Sequence, residues 1–302
     1  MGTGLYVHVP YCRRRCPYCD FNVWVDSKAP WEHLAEAIIC DLESRAPSYP
    51  ARFDSVYFGG GTPSLAPTLF FESVLDAAQR LGPIAPGAEV TVEIEPDTVG
   101  RERLREWRTL GFNRASLGWQ STHDSLLRTL GRGHSARSSQ RMVDDVRDAG
   151  FENVSVDLIF AVPGQSLQQL DQDLDAVVGL APPHVSLYAL TFEPNTEFER
   201  RRQQGRLLPV DEPSELEMMD HITSRLTAAG FAHYEVSNYA QPGYEARHNS
   251  SYWAGKPYLG VGPGAHSYLP NPLGASRWES RRNPGAYIAT QDFEWQEALS
   301  LR

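Results

Sequence analysis

The chain has 302 residues, 41% hydrophobic and 22% charged, which fits one large globular α/β domain with at most a small appendage. Its formal net charge of -10 argues against wholesale nucleic-acid binding, and no apolar run approaches the roughly 18 residues of a membrane span. The four cysteines are scarce and clustered, and no charged segment followed by an apolar stretch opens the chain. Both features point to a reducing cytoplasm and not to secretion.

A short apolar run, Leu5-Tyr6-Val7-His8-Val9, reads as the first strand and leads into Cys12-Arg13-Arg14-Arg15-Cys16-Pro17-Tyr18-Cys19. Pro10 and Pro17 make this stretch a loop. Its spacing, C-x3-C-x2-C, offers three thiolates on one loop, enough for three irons of a cubane iron–sulfur cluster with the fourth iron open to another ligand. A structural zinc site would need a further Cys or His pair, and none follows at suitable spacing; three-cysteine zinc with Asp20 or His8 is the remaining alternative. A helix is expected over about 31–45. Within it Cys40 reads as a small core residue.

Ser55-Val56-Tyr57-Phe58 forms the second strand and runs straight into Gly59-Gly60-Gly61-Thr62-Pro63-Ser64, a turn in which backbone N–H groups approach a ligand closely. The alternation then continues. A helix over about 67–80 precedes the strand 89–96, and a helix over about 101–110 ends at Gly111, a C-cap signal. The strand 114–120, a broken helical region to Gly150, the strand 154–160, a helix over about 167–179 and the strand 184–190 follow. Six strands separated by helices predict parallel βα units, without deciding between a barrel and an open sheet. In a parallel barrel the ligand site lies at the C-terminal strand ends. Glu93, Gln120, Arg132 and Asp157 fall there. Asp157 also interrupts an apolar strand, which is costly unless the carboxylate is paired or liganded.

From Thr191 the pattern changes. A turn at 192–196, a helix over about 211–229 and a short strand at 232–236 close the block. His248-Asn249-Ser250-Ser251-Tyr252-Trp253 and Tyr258 to Ser267 then place His248 and His266 on either side of an aromatic, glycine-rich loop. Imidazole is a standard haem ligand and aromatic rings suit a flat macrocycle; loop packing is the bland reading.

Taken together, these motifs resemble the radical S-adenosylmethionine (SAM) superfamily, in its oxygen-independent coproporphyrinogen III oxidase-like branch. The residues that carry the resemblance are Tyr6 to Cys12, Cys19-Asp20-Phe21, Phe58 to Ser64, Leu130-Gly131-Arg132 with His134-Ser135, Asp157-Leu158-Ile159, and His248-Asn249-x-x-Tyr252-Trp253. It covers nearly the whole chain. The fold it implies is a partial (β/α)6 barrel over 1–235, with a smaller C-terminal region over 236–302.

By that resemblance Cys12, Cys16 and Cys19 hold a [4Fe-4S] cluster. Tyr6, Tyr18, Gly60, Gly61, Thr62, Glu93, Gln120, Arg132, Asp157 and Ala189 would line the SAM site. The oxidase of this branch decarboxylates two propionate side chains, starting with hydrogen abstraction by a 5′-deoxyadenosyl radical. It has a fourth cysteine where this chain has Phe21, and an N-terminal arm before the cysteine loop. The departures resemble the branch's haem chaperones, which implies haem as ligand, with His248 the first and His266 the second candidate. It also implies haem-acceptor proteins as partners, at the membrane surface. Family members usually run further than Ala298 to Arg302, which reads as a shortened C-terminal domain or a truncated chain.

Overall fold

The computed structural model describes residues 2–50 and 52–300. Along the chain run β1 (Thr3–Val9), β2 (Tyr11–Cys12), β3 (Trp24–Val25), α1 (Trp31–Arg45), β4 (Phe53–Gly60), α2 (Thr68–Leu81), β5 (Ile84–Ile94), α3 (Arg101–Thr109) and β6 (Arg114–Gln120). Next come α4 (Asp124–Thr129), α5 (Ala136–Asp148), β7 (Asn153–Phe160), α6 (Leu167–Leu180), β8 (His184–Ala189), α7 (Glu197–Gln203), α8 (Glu212–Ala228), β9 (Ala232–Glu235) and β10 (Asn238–Ala240). The remainder is α9 (Arg247–Trp253), β11 (Tyr258–Val261), β12 (His266–Asn271), β13 (Gly274–Ser280), α10 (Pro284–Thr290) and β14 (Phe293–Ser300). Leu301 and Arg302, part of the C-terminal stretch singled out above, lie outside the described residues.

A 12-stranded sheet orders these strands β14-β13-β12-β11-β1-β4-β5-β6-β7-β8-β10-β9. β1 and β4 to β8 are the six expected parallel strands, each paired with the next. The sheet is α/β and open, its curvature showing in one cavity lined by residues of β4 through β8. A seventh parallel strand was not expected. β11 pairs with β1 from Gly4↔Tyr258 to Val7↔Val261, so the C-terminal region continues the same sheet. The boundary expected after residue 235 falls inside the antiparallel β9–β10 pair.

Helices pack on the outer face, where alternate strand residues are apolar. Phe58, Phe71, Trp107 and Phe112 interlock there at edge-on and tilted angles, with centroids 5.1 Å apart for Phe58–Phe71 and Phe71–Trp107. Truncating such a ring costs roughly 3–5 kcal/mol. The inner face is polar, unlike a barrel core filled by branched side chains. Ser55, Tyr57, Glu89, Thr91, Glu93, Arg114, Ser116, Ser155 and Asp157 follow the two-residue period of their strands.

Two local expectations are corrected. Cys40 is exposed, not a core residue. The buried stripe of α1 runs through Leu34, Ile38, Asp41, Leu42 and Arg45, and position 40 falls outside it on a 3.6-residue repeat. His248 to Trp253 is a helix, not a loop. Its first N–H groups are capped from a distance, since Glu89 accepts from the backbone N–H of Arg247 and His248, each at 3.0 Å. α7 was missed, although Thr196 caps it and Glu197 and Glu199 pair with arginines three or four residues on. Among the described residues no helix is long and apolar enough to cross a membrane.

Candidate cofactor site

The cysteine loop leaves β2 and returns at β3, which pairs with it through Tyr11↔Trp24 and Cys12↔Val25. The glycine turn after β4 braces it: Gly61 N–H donates to the Val9 carbonyl at 2.7 Å, and Thr62 N–H to that of Tyr11 at 2.9 Å. A Cβ on Gly61 would stand 2.7 Å from the Val9 oxygen, so that approach requires glycine. On its far side the loop is held by the Phe198 N–H to the Pro17 carbonyl at 2.9 Å. Asn22 ties it to the C-terminal region through the carbonyls of Pro263, after β11, and Arg282, after β13, both at 2.8 Å.

Two sulfurs have donors aimed at them. Thr62 Oγ1 donates to Cys12 Sγ at 3.3 Å, and an Arg132 guanidinium nitrogen to Cys16 Sγ at 3.6 Å. Hydrogen bonds of this kind suit thiolates. Burial pushes the Cys12 thiol up to about 12 and also raises Cys19, so uptake of a metal centre must release their protons. Among the described residues no three His, Cys, Asp or Glu side chains converge tightly enough to hold a single ion. Three thiolates that each take a different iron of one cluster have no need to converge so closely.

Below the loop opens a cavity of about 460 Å³. Cys12, Cys16, Cys19, Tyr18, Gly60, Gly61, Thr62, Glu93, Gln120, Arg132, Asp157 and Ala189 all line it. Three expected site residues do not. Tyr6 lies beneath, stacked on Tyr57 at 6.0 Å and donating its hydroxyl to His8 Nδ1 at 3.1 Å. His248 is buried at the opposite end of the strands, near Gly4 and Ser55. His266 starts β12, outside the barrel, with a side chain 49% exposed.

The polar groups around the cavity are strongly coupled. Glu93 accepts from the Tyr57 hydroxyl at 2.7 Å and from Gly60 N–H at 3.1 Å, yet burial still pushes its carboxyl up to about 7. Asp157 is likewise raised by burial, although hydroxyl groups including Ser116 at 2.9 Å and Ser155 at 3.0 Å donate to it. Glu95 behaves differently. Burial alone would raise it, but His134 and Arg132 outweigh that and hold it below the usual range. Gln120 has a φ of 70°, a left-handed backbone that turns the chain at the strand end. Sequence reasoning had passed over Tyr57, Glu95, Arg114, Tyr188 and Asn249, which also line the cavity. The inward period of two set by Glu93 and Asp157 was the signal that would have found the strand residues among them.

Such a structure is an open parallel βα half-barrel with a three-cysteine loop at the C-terminal rim and a polar cavity beneath it. The Radical SAM superfamily pattern matches residues 6–177. The heme chaperone HemW of Escherichia coli is 35% identical over 97% of this chain and 77% of its own length. The heme chaperone HemW of Synechocystis is 37% identical over 89% of this chain and 66% of its own. Coproporphyrinogen III oxidase HemN from Escherichia coli shares the fold, with a TM-score of 0.84 over 99% of this chain and 72% of that one, at 21% identity. The chain belongs to the radical SAM superfamily, in the branch that holds the HemW proteins. It spans 66% of the length of the Synechocystis relative and 77% of that of the Escherichia coli one.

Proposed function

We propose that this protein is a haem chaperone that carries a [4Fe-4S] cluster, binds SAM and haem, and hands haem to acceptor proteins. The observation that carries the reading is identity at 35% and above, along nearly the whole chain, to proteins named heme chaperones. In it Cys12, Cys16 and Cys19 hold the cluster, and the glycine turn, Glu93, Gln120, Arg132 and Asp157 hold SAM. The residues fit both groups: two of the sulfurs have donors, and the glycine turn lines the cavity beside the cysteine loop. The cluster supplies one-electron chemistry and an iron open to a chelating ligand. Glu93 and Asp157 offer acceptors to a ligand's ammonium and hydroxyl groups, in a setting where burial strengthens each contact. Phe21 stands where the related oxidase has a cysteine. It is 61% exposed at the cavity mouth, an apolar surface next to the loop.

Incubation of the anaerobically reconstituted protein with haem is expected to give a stable complex with a shifted Soret band. Incubation with coproporphyrinogen III, SAM and a reductant is expected to give no decarboxylated product. Turnover of the porphyrinogen would replace this reading with that of an oxidase.

The state of Glu93 supplies a pH test. Its carboxyl is neutral below about pH 7 and ionised above, because burial has raised it. If the ionised form receives SAM, affinity rises with pH through neutrality. The SAM dissociation constant is expected to fall roughly tenfold from pH 6 to pH 8 by equilibrium dialysis, with a flat profile for Glu93→Gln. A wild-type profile as flat as the variant's removes Glu93 from SAM recognition.

A further inference from the structure

We propose that the floor of the barrel cavity is a carboxylate-binding subsite, where Arg114 and Asn249 receive one carboxylate group of a small-molecule ligand. Arg114 opens β6 and points inward, on the same face as Ser116, Gly118 and Gln120, which line the cavity with it. It is 2% exposed. Its Nε has no partner, and among the described residues no carboxylate lies within 4.0 Å of its guanidinium. Glu93 and Asp157 lie near enough to feel its charge, but the nearby acids all have their hydrogen bonds elsewhere. Glu93 takes Tyr57 and Gly60, Asp157 takes Ser116 and Ser155, and Glu89 caps α9.

A buried cation without a hydrogen-bonded counter-ion destabilises the fold. Arg114 is therefore better explained by something that enters the cavity than by stability. Asn249 points the same way: it lines the same cavity, from α9.

The pairing selects the ligand's chemistry. A guanidinium fork and a carboxamide match the two coplanar oxygens of a carboxylate. Phosphate, with more charge, would meet Glu93 and Asp157 on the two neighbouring strands, β5 and β7, without a second cation to offset them. The inference does not depend on haem binding, because neither His248 nor His266 lines this cavity.

Thermal unfolding of the full chain at fixed ionic strength tests it, with 4-bromobenzoate as probe and 4-bromobenzamide and inorganic phosphate as controls. Wild type is expected to gain about 2–3 °C, saturably, at tenfold excess of the benzoate over its dissociation constant, and nothing from either control. Arg114→Met, which removes a buried charge with no hydrogen-bonded counter-ion, is expected to melt at or above the wild-type temperature without ligand and to show no shift with it. Asn249→Ala is expected to weaken the benzoate shift at each concentration. Three results would each overturn the proposal. They are an equal shift in Arg114→Met and wild type, an equal shift from benzamide or phosphate, and a large fall in the melting temperature of Arg114→Met alone, which would make Arg114 structural.

Discussion

Protein reconstituted anaerobically with iron and sulfide is expected to take up close to one four-iron cluster. Serine at Cys12, Cys16 or Cys19 is expected to cut bound iron and sulfide to roughly a tenth of that. The size of the effect follows from the ligand count. Three thiolates already leave one iron open, so losing another leaves two protein bonds to a labile cluster. Serine offers a harder oxygen, which remains protonated where a bound thiolate does not. Cys40→Ser is the internal control. Cys40 is exposed on α1, while the other three cysteines line the cavity, so its removal is expected to change neither colour nor iron content. A triple variant at positions 12, 16 and 19 that kept full iron and sulfide would end the assignment of the loop.

Haem titration is expected to separate the two histidines and to reverse the order in which the sequence ranked them. His248 has both ring nitrogens engaged, Nδ1 with Ser55 Oγ at 2.8 Å and Nε2 with Tyr252 Oη at 2.6 Å. Its ring stacks on Tyr57 at 5.2 Å, and burial lowers its pKa to about 3. Ligating an iron there would mean breaking one of those hydrogen bonds and opening the packed end of the barrel. His266 is half exposed, its ring 5.6 Å from that of Trp295 and its Nε2 3.7 Å from Glu279, with Arg277 and Arg282 nearby in ion pairs to Glu297 and Glu279 that porphyrin propionates would compete for. His266→Ala is expected to weaken haem at least tenfold and to shift the Soret band. His248→Ala is expected to leave affinity within about threefold while lowering stability by about 2–4 kcal/mol through orphaned partners and a lost ring. The reverse pattern would restore His248 as the ligand.

The same burial gives His248 a signature in pH. The unfolded chain protonates this imidazole below about 6.5, whereas the folded one resists until about 3. Its contribution to stability is therefore present above pH 6.5 and is lost on acidification, by about 1.4 kcal/mol per pH unit between those limits.

The sequence alone determined what local chemistry can encode. Three cysteines within eight residues share one loop however the rest folds, and a glycine run after a strand makes a turn by backbone sterics alone. The strand and helix alternation was readable because each element carries its own period of apolar residues. Tertiary structure decided everything that depends on residues far apart. α9 forms because Glu89, 159 positions before His248, caps its first N–H groups, and nothing in the local run of polar and aromatic residues announces that partner. β11 joins the parallel sheet beside β1 because the curved sheet has a free edge there, a property of the assembled strands. The missing hydrogen-bonded partner of Arg114 is of the same kind. A sequence names a charge, but whether that charge has a partner depends on the distances that folding imposes.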